Sequence, residues 1–153
     1  MHVLELKVPP VAVVLVTAGC MWLVAWAVPA LGFRFPARDL VAMSLALAGA
    51  VTSALGVISF RRAGTTVNPM KPESSSSLVT SGIYKLTRNT MYLGSILVLL
   101  GWSVYLSSLP AFLFLPAFIV YMNHFQIEPE ERALAALFGQ EFTAYKVRAR
   151  RWL

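Results

Sequence analysis

The stretch LVAMSLALAGAVTSALGVISF, residues 40–60, decides the fold of this chain. It contains no Asp, Glu, Lys or Arg, and as a helix it is long enough to cross the roughly 30 Å of hydrocarbon in a bilayer. Small residues recur along one face of that helix, at Ala46, Ala50 and Ala54, with Gly49 beside them. Such a face lets two helix backbones approach closely in lipid. We therefore predict a membrane helix that packs tightly against a neighbour.

Three further apolar stretches accompany it, at residues 11–33, 91–109 and 110–125. The last of these is short and contains Pro116, which we expect to kink it. Of all residues, 58% are hydrophobic and only 13% are charged, whereas soluble domains are usually about a quarter charged. We predict an all-α, polytopic membrane protein with a single membrane domain, residues 1–153, and about four transmembrane helices.

Lysine and arginine set the expected orientation. They are concentrated in the loop of residues 61–90 and after the fourth span, whereas the connection between the first two spans carries only Arg34 and Arg38. The positive-inside rule then predicts that both termini and the 61–90 loop are cytoplasmic. Residues 25–27 resemble a signal-peptide cleavage site, but the apolar run is longer than that of a typical signal peptide, so we expect the first span to be retained.

The basic residues and the few metal-binding side chains limit the possible partners. The net charge is +6, but the basic residues fall in short runs beside apolar segments, which favours anionic lipid headgroups over nucleic acid. Cys20 is the single cysteine, and His2 and His124 are far apart. We therefore predict neither a disulfide nor a metal site.

An amphipathic helix is predicted beyond the fourth span, over residues 129–148. Pro129 suits the first turn of a helix, and Glu130 and Glu131 suit the positive end of its dipole. Apolar residues then recur at helical spacing along one face, before a basic and aromatic end. We expect this helix at the cytoplasmic surface or folded back on the bundle.

Acidic, basic and aromatic residues thus gather on the predicted cytoplasmic side. Such a mixture suits a ligand that bears an amine, a carboxylate and a flat ring. The same residues would also serve an interfacial anchor, with tyrosines as an aromatic belt and arginines as positive-inside residues. The residues that could converge are Tyr84, Arg88, Tyr92, Glu130, Glu131, Tyr145 and Arg148.

Two segments of this side resemble a known family. Residues 82–94, GIYKLTRNTMYLG, are similar to the pattern Gly-x-Tyr-x-x-x-Arg-[His/Asn]-Pro-x-Tyr-x-Gly of the isoprenylcysteine carboxyl methyltransferases and phospholipid N-methyltransferases. After a membrane hairpin, residues 130–145 resemble the family's Glu-Glu-x-x-Leu…Phe-Gly-x-Glu-[Tyr/Phe]-x-x-Tyr. The resemblance covers roughly residues 65–153. Asn89 stands where many members have histidine, and Thr90 stands where proline is usual.

This resemblance implies an integral membrane methyltransferase that uses S-adenosylmethionine and acts on a lipidic or small apolar acceptor from the bilayer. The acceptor group, whether carboxylate, amine or thiol, stays open. A non-enzymatic scaffold that binds anionic lipid and a membrane reductase similar to sterol reductases are the alternatives. The resemblance implies cofactor binding by Tyr84, Asn89, Tyr92, Gly94, Glu130, Glu131 and Tyr145, and catalytic roles for Arg88, Arg148 and Glu131. It requires residues near 84–94 and near 130–148 to meet around a shared cavity.

Overall fold

A computed structural model describes residues 5–34 and 36–153, so His2 lies outside the described residues. Within these two ranges the chain is helical and contains isolated bridges but no strand. Short 3-10 turns occupy the connections, and a π-helical turn lies between α5 and α6. The helices are α1 Pro10–Ala27, α2 Arg38–Arg62, α3 Thr90–Leu106, α4 Leu109–Phe112, α5 Phe114–Met122 and α6 Glu128–Arg148.

The prediction of an all-α membrane protein is confirmed. Three helical stretches are long and apolar enough to cross a bilayer: Pro10–Ala27, Arg38–Arg62 and Leu109–Arg148. The fourth candidate, α3, is shorter but also apolar. Large aliphatic side chains on the outer faces of α1 and α2 are exposed, which is the arrangement expected when lipid is the solvent.

Helices α2 and α3 approach closely through small residues. A Cβ atom placed on Gly94 would lie 2.5 Å from the carbonyl oxygen of Gly49, and one placed on Gly101 would lie 2.7 Å from that of Ala42. Real Cβ atoms do not approach backbone oxygens so closely. The predicted close contact therefore forms through Gly49, beside the predicted stripe, whereas Ala50 and Ala54 of the stripe itself are exposed. Glycine is required at these crossing points.

Helix α1 ends at Ala27, earlier than the predicted span end at residue 33. Pro29 has no N–H to continue the α-helical hydrogen bonds, and the chain turns into the 3-10 segment Pro29–Leu31. Beyond this segment, the Phe33 amide donates to the carbonyl of Ser107 (2.9 Å), which attaches the connection to the end of α3.

The fourth span and the predicted amphipathic helix form one helical stretch of 40 residues, Leu109–Arg148. It is interrupted at Leu113, three residues before Pro116, as the missing proline N–H requires. It then widens into the π turn Asn123–Ile127 just before Pro129. At 1.5 Å per residue this stretch would be about 60 Å long, twice the thickness of the hydrocarbon core, so α6 extends beyond the membrane.

A glycine breaks α6 in its second half. Gly139 has φ 48° and ψ −116°, a conformation that lies outside the helical region and that glycine adopts most easily. The part after this kink runs beside the 3-10 turn Gly82–Lys85 and the start of α3. Thr87 and Arg150 form a parallel bridge there, and the Arg88 amide donates to the Arg150 carbonyl (2.9 Å).

Candidate functional site

A charged cluster joins the start of α3 to α6 and to the residues that follow it. Arg88 Nη2 donates to Glu131 Oε1 (3.0 Å), and Arg151 Nη2 donates to Glu131 Oε2 (2.8 Å). The side chains of Arg88 and Glu131 are only 11% and 12% exposed. Burial alone would raise the pKa of Glu131, but the hydrogen bonds and positive charges of Arg151 and Arg88 outweigh it and hold the pKa below its ordinary value. Glu131 is therefore an ionised anchor between two guanidinium groups.

Arg88 is also fixed to the backbone at the end of α6. Its Nη1 donates to the carbonyls of Ala149 (2.6 Å) and Lys146 (3.0 Å). Its Nε is buried and has no hydrogen-bond partner among the described residues. The two Nη groups thus make structural contacts, and the buried Nε–H remains as a donor for a ligand.

Glu130 is placed differently from its neighbour. Its Oε2 accepts a hydrogen bond from the Tyr92 hydroxyl (3.1 Å), and among the described residues no cation is paired with it. Burial raises the pKa of Glu130 to about 7, although the hydrogen bond from Tyr92 opposes the shift. The adjacent charge of Glu131 adds to the rise. Glu130 is therefore a carboxyl group that exchanges its proton near neutral pH and lacks a protein cation.

Aromatic rings form a wall beside these carboxylates. The Tyr145 hydroxyl donates to the Tyr84 carbonyl (2.7 Å), and both rings are buried. The Tyr84 ring meets Phe60 of α2 edge to face, with ring centroids 5.3 Å apart. Phe142, which is 2% exposed, packs in the same apolar cluster. Burial raises the pKa of both tyrosines above the ordinary value, so both stay neutral.

Asn89 holds the residues after α6 in place. Its Nδ2 donates to the Arg151 carbonyl (2.9 Å), to which Thr87 Oγ1 also donates (3.2 Å). Asparagine at this position, where the resembling family often has histidine, can serve as such a donor. The backbone that follows α6 is consequently fastened to the start of α3 next to the site.

These residues surround one cavity, here called the central cavity. The loop of residues 75–79 closes one side of it. That loop is attached to the end of α2, because Ser77 Oγ donates to the Ala63 carbonyl (3.0 Å) and the Ser76 amide donates to Thr65 Oγ1 (3.0 Å). The open space in the cavity is only about 50 Å³. Its lining includes Phe60, Leu78, Tyr84, Arg88, Asn89, Ile127, Glu130, Glu131, Leu134, Phe142 and Tyr145.

The structure brings most of the predicted site residues together. Six of them line the central cavity, and Tyr92 reaches it through its hydrogen bond to Glu130. The two segments that had to meet, near residues 84–94 and 130–148, do so at one end of the bundle. The six are Tyr84, Arg88, Asn89, Glu130, Glu131 and Tyr145.

Two predicted site residues lie elsewhere. Gly94 faces α2, where an added Cβ would collide with Ser53 and with the Gly49 carbonyl, so its place in the structure is a helix contact. Arg148 is exposed and lines a separate cleft. The resemblance implied a role for Arg148, but the helix ends there and Ala149 is extended (φ −113°, ψ 134°), which turns Arg151 toward Glu131 instead.

Several lining residues were not predicted from the sequence. Arg151 was recognised only as part of a basic tail, and the apolar side chains Phe60, Leu134 and Phe142 were read as span or helix-face residues. The helix-face pattern contained Leu134 and Phe142, and it could have placed them toward the site once the kink at Gly139 was known. No local signal in the sequence distinguishes Phe60 from the other apolar residues of α2.

The fold and this site define a class: a membrane helical bundle with a buried charged and aromatic cavity at one end. The family model described as phospholipid methyltransferase matches residues 37–141. The chain belongs to this family, and it is by class a membrane methyltransferase. The match stops before Tyr145 and Arg151, so the contribution of these two residues to the site comes from the structure alone.

Comparison with individual proteins adds one relative. The chain is 44% identical over 63 residues, 41% of its length, to an uncharacterised protein of Haemophilus influenzae, and the alignment spans 100% of that protein. No solved structure matches the chain.

Proposed function

We propose that this protein transfers a methyl group from S-adenosylmethionine to a membrane lipid, or to another small apolar acceptor, that enters from the bilayer. One observation carries the proposal: two segments from opposite ends of a membrane hairpin meet around a single cavity. Among the described residues they supply a carboxyl group without a cation and one unpartnered guanidinium N–H beside aromatic rings. The family of the chain supports the reaction type.

The residues of the central cavity fit the chemical groups of S-adenosylmethionine. Its amino acid part carries an ammonium and a carboxylate, and its adenine is a flat ring. Glu130 is a carboxyl group without a protein cation, and Arg88 Nε is a buried donor without a partner among the described residues. Tyr84 and Tyr145 provide ring surfaces next to both. The donor and acceptor set thus matches the cofactor group by group.

When bound, S-adenosylmethionine supplies a methyl group on a positively charged sulfur. Methyl transfer from it needs no protein nucleophile, so the protein contributes binding, alignment and exclusion of water. We assign Glu130 to the ammonium and Arg88 Nε to a carboxylate. Glu131 positions Arg88, because its own oxygens are engaged by two arginines.

The loop of residues 75–79 has to move for the cofactor to bind. Ligand pockets usually hold roughly 300–1,000 Å³, whereas the central cavity offers about 50 Å³, room for about one or two water molecules. The loop is held by exposed serine and threonine hydrogen bonds, which water can replace at low cost, and by Val79, which packs in the apolar cluster of the site. We infer that it opens for binding and closes again to exclude water from the reaction. With the basic 61–90 loop inside the cell, the site faces the cytoplasm.

Binding of S-adenosylhomocysteine to the purified protein in detergent micelles tests the cofactor assignment. Glu130→Gln removes the negative charge, and we expect it to weaken binding at least tenfold, because a charge-assisted hydrogen bond contributes about 1.5–3 kcal/mol. Glu141→Gln is the matched control, since this exposed carboxylate lies on the same helix outside the central cavity. Calorimetric titration measures both. Absence of binding at millimolar ligand, with the helical content intact, overturns the proposal.

Activity and acceptor class are tested together. The protein is incubated with methyl-labelled S-adenosylmethionine and a total membrane extract, and the labelled fraction is identified. We expect label in the lipid fraction. Arg88→Lys separates this function from a charge-only scaffold, because lysine keeps the charge but cannot reach two carbonyls and Glu131 at once. Unchanged labelling in Arg88→Lys contradicts the role of Arg88.

A further inference from the structure

A second cleft opens beside the central cavity, at the same end of the bundle. It has a volume of about 420 Å³ and lies between the 3-10 turn Gly82–Lys85 and the end of α6. Tyr145 lines both spaces, so one ring separates them. The lining of the cleft is Thr80, Ser81, Lys85, Glu141, Tyr145, Arg148 and Ala149.

The charges of this cleft are not neutralised within the protein. Lys85 and Arg148 are exposed, and among the described residues neither forms an ion pair. This differs from Arg88 and Arg151, which are both bound to Glu131. The single carboxylate of Glu141 leaves the cleft with a net charge of one positive unit. Thr80 and Ser81 add two hydroxyl donors at its edge. Two cations, two hydroxyls and a net single positive charge suit a singly charged phosphodiester.

One exposed apolar residue is the direct sequence neighbour of each of the two cations of the cleft. Leu86, next to Lys85, is 68% exposed, and Val147, next to Arg148, is 85% exposed. Neither belongs to the lipid-facing surface of a spanning helix, so water would be their solvent if this end of the protein stood clear of the membrane. Aliphatic side chains beside cations are the pattern of a surface that lies at the headgroup level of a bilayer.

We propose that this cleft is a binding site for the phosphodiester headgroup of an anionic membrane phospholipid, with Lys85 and Arg148 as the phosphate ligands. The site is separate from the central cavity and does not depend on methyl transfer. Bound lipid bridges the Gly82–Lys85 turn and the end of α6, which are the two segments that hold the charged cluster together. The lipid acyl chains lie along Leu86 and Val147.

The experiment uses the full chain in detergent micelles and a short-chain phosphatidylglycerol that is soluble as a monomer. We expect the double variant Lys85→Gln/Arg148→Gln to weaken its binding about tenfold or more, as lost phosphate contacts worth about 1.4 kcal/mol require. Arg61→Gln/Lys71→Gln is the matched control, because it removes the same charge from exposed residues of the 61–90 loop outside the cleft. We expect it to change binding less than twofold. Equal losses in the two double variants would reduce the effect to overall charge and overturn the site.

Three further measurements test the proposal. The single variant Lys85→Gln serves if the double variant does not fold, and we expect a loss of about threefold; no loss contradicts the site. Glu141→Gln removes the opposing charge and is expected to strengthen binding about twofold to threefold. Glycerol 3-phosphate tests the source of the phosphate: we expect it to bind at least tenfold more weakly than the lipid, because it has no acyl chains. Equal affinity would refute a lipid site.

Discussion

The pair formed by Arg88 and Glu131 should contribute strongly to stability, and a double-mutant cycle measures this contribution. The variants are Arg88→Met, Glu131→Gln and their combination. Both side chains are close to 90% buried, and the pair joins segments that are far apart in the chain. A buried charge left without its partner costs about 3–5 kcal/mol. Here Arg151 still pairs with Glu131 when Arg88 is removed, so we expect a smaller coupling of about 2 kcal/mol.

The chain provides its own control pair. Arg132 and Glu5 have a shorter N–O distance, 2.7 Å, and the Glu5 side chain is 13% exposed, but the Arg132 side chain is 60% exposed. Because water solvates the exposed guanidinium with or without its partner, the cycle of Arg132→Met and Glu5→Gln should give a coupling below about 1 kcal/mol. If burial rather than the N–O distance determines the coupling energy, Arg88 and Glu131, with the longer distance, have the larger coupling.

Reversible unfolding in mixed micelles, with sodium dodecyl sulfate as the denaturant, yields the free energies of unfolding for both cycles. Helical circular dichroism follows the transition. Couplings that are equal within error, or a value near zero for Arg88 and Glu131, would show that the charged cluster does not hold the start of α3 against α6. In that case the charged cluster would not give the site the rigid frame that we assign to it.

Three other predictions follow from the packing and charge of single residues. Gly94→Ala should lower the free energy of unfolding by about 1–3 kcal/mol, because its Cβ would meet the backbone of α2. Gly19 has open space around it, so Gly19→Ala should change this free energy little. Thermal unfolding of the two variants tests the prediction. Glu130 has a folded pKa of about 7 against an ordinary value of 4.5, so the folded protein keeps a proton that the unfolded chain releases. The free energy of unfolding should then fall as the pH rises from about 4.5 to 7 and stay level above. Glu130→Gln should flatten this slope in a pH series of unfolding curves. A slope that the substitution leaves unchanged belongs to another group. Gly139→Ala should cost about 1–2 kcal/mol or straighten α6, because a positive φ strains alanine although no atom stands in its way. A straightened helix would draw Tyr145 from the Tyr84 carbonyl and weaken binding of S-adenosylhomocysteine; unaltered stability and binding together would contradict the kink.

Hydropathy was sufficient for the fold because a bilayer permits few architectures. Residues 40–60 predicted a spanning helix, and α2 covers them. The small residues predicted a close helix contact, and α2 makes one with α3 through Gly49. The alanine stripe was the wrong face, because Ala50 and Ala54 are exposed. The ends of the helices were harder to predict. Apolar composition continues through Pro29 to residue 33, but the proline stops hydrogen bonding before the apolar run stops.

The site was predictable where a motif constrained it and not where the backbone changed direction. Tyr84, Arg88 and Glu131 reach the cavity because both motifs lie at the same end of the bundle. Arg151 rather than Arg148 contacts Glu131 because α6 ends at Arg148. No glycine or proline follows that position to indicate a helix end. Pro129 was predicted at a helix start, and α6 does begin at Glu128. The π turn that joins α6 to α5 without a break was not predicted.

That π turn fastens the beginning of the chain to its last span. Pro129 has no N–H to donate to the Phe125 carbonyl, and this carbonyl accepts from the Leu6 amide (3.0 Å). Gln126 Nε2 donates to the Val8 carbonyl (2.6 Å). Leu6 and Val8 therefore gain these partners only after more than a hundred later residues have been synthesised and inserted. Protection of the Leu6 amide from deuterium would report that biogenesis is complete, and a chain arrested before the fourth span would leave this backbone open to proteases.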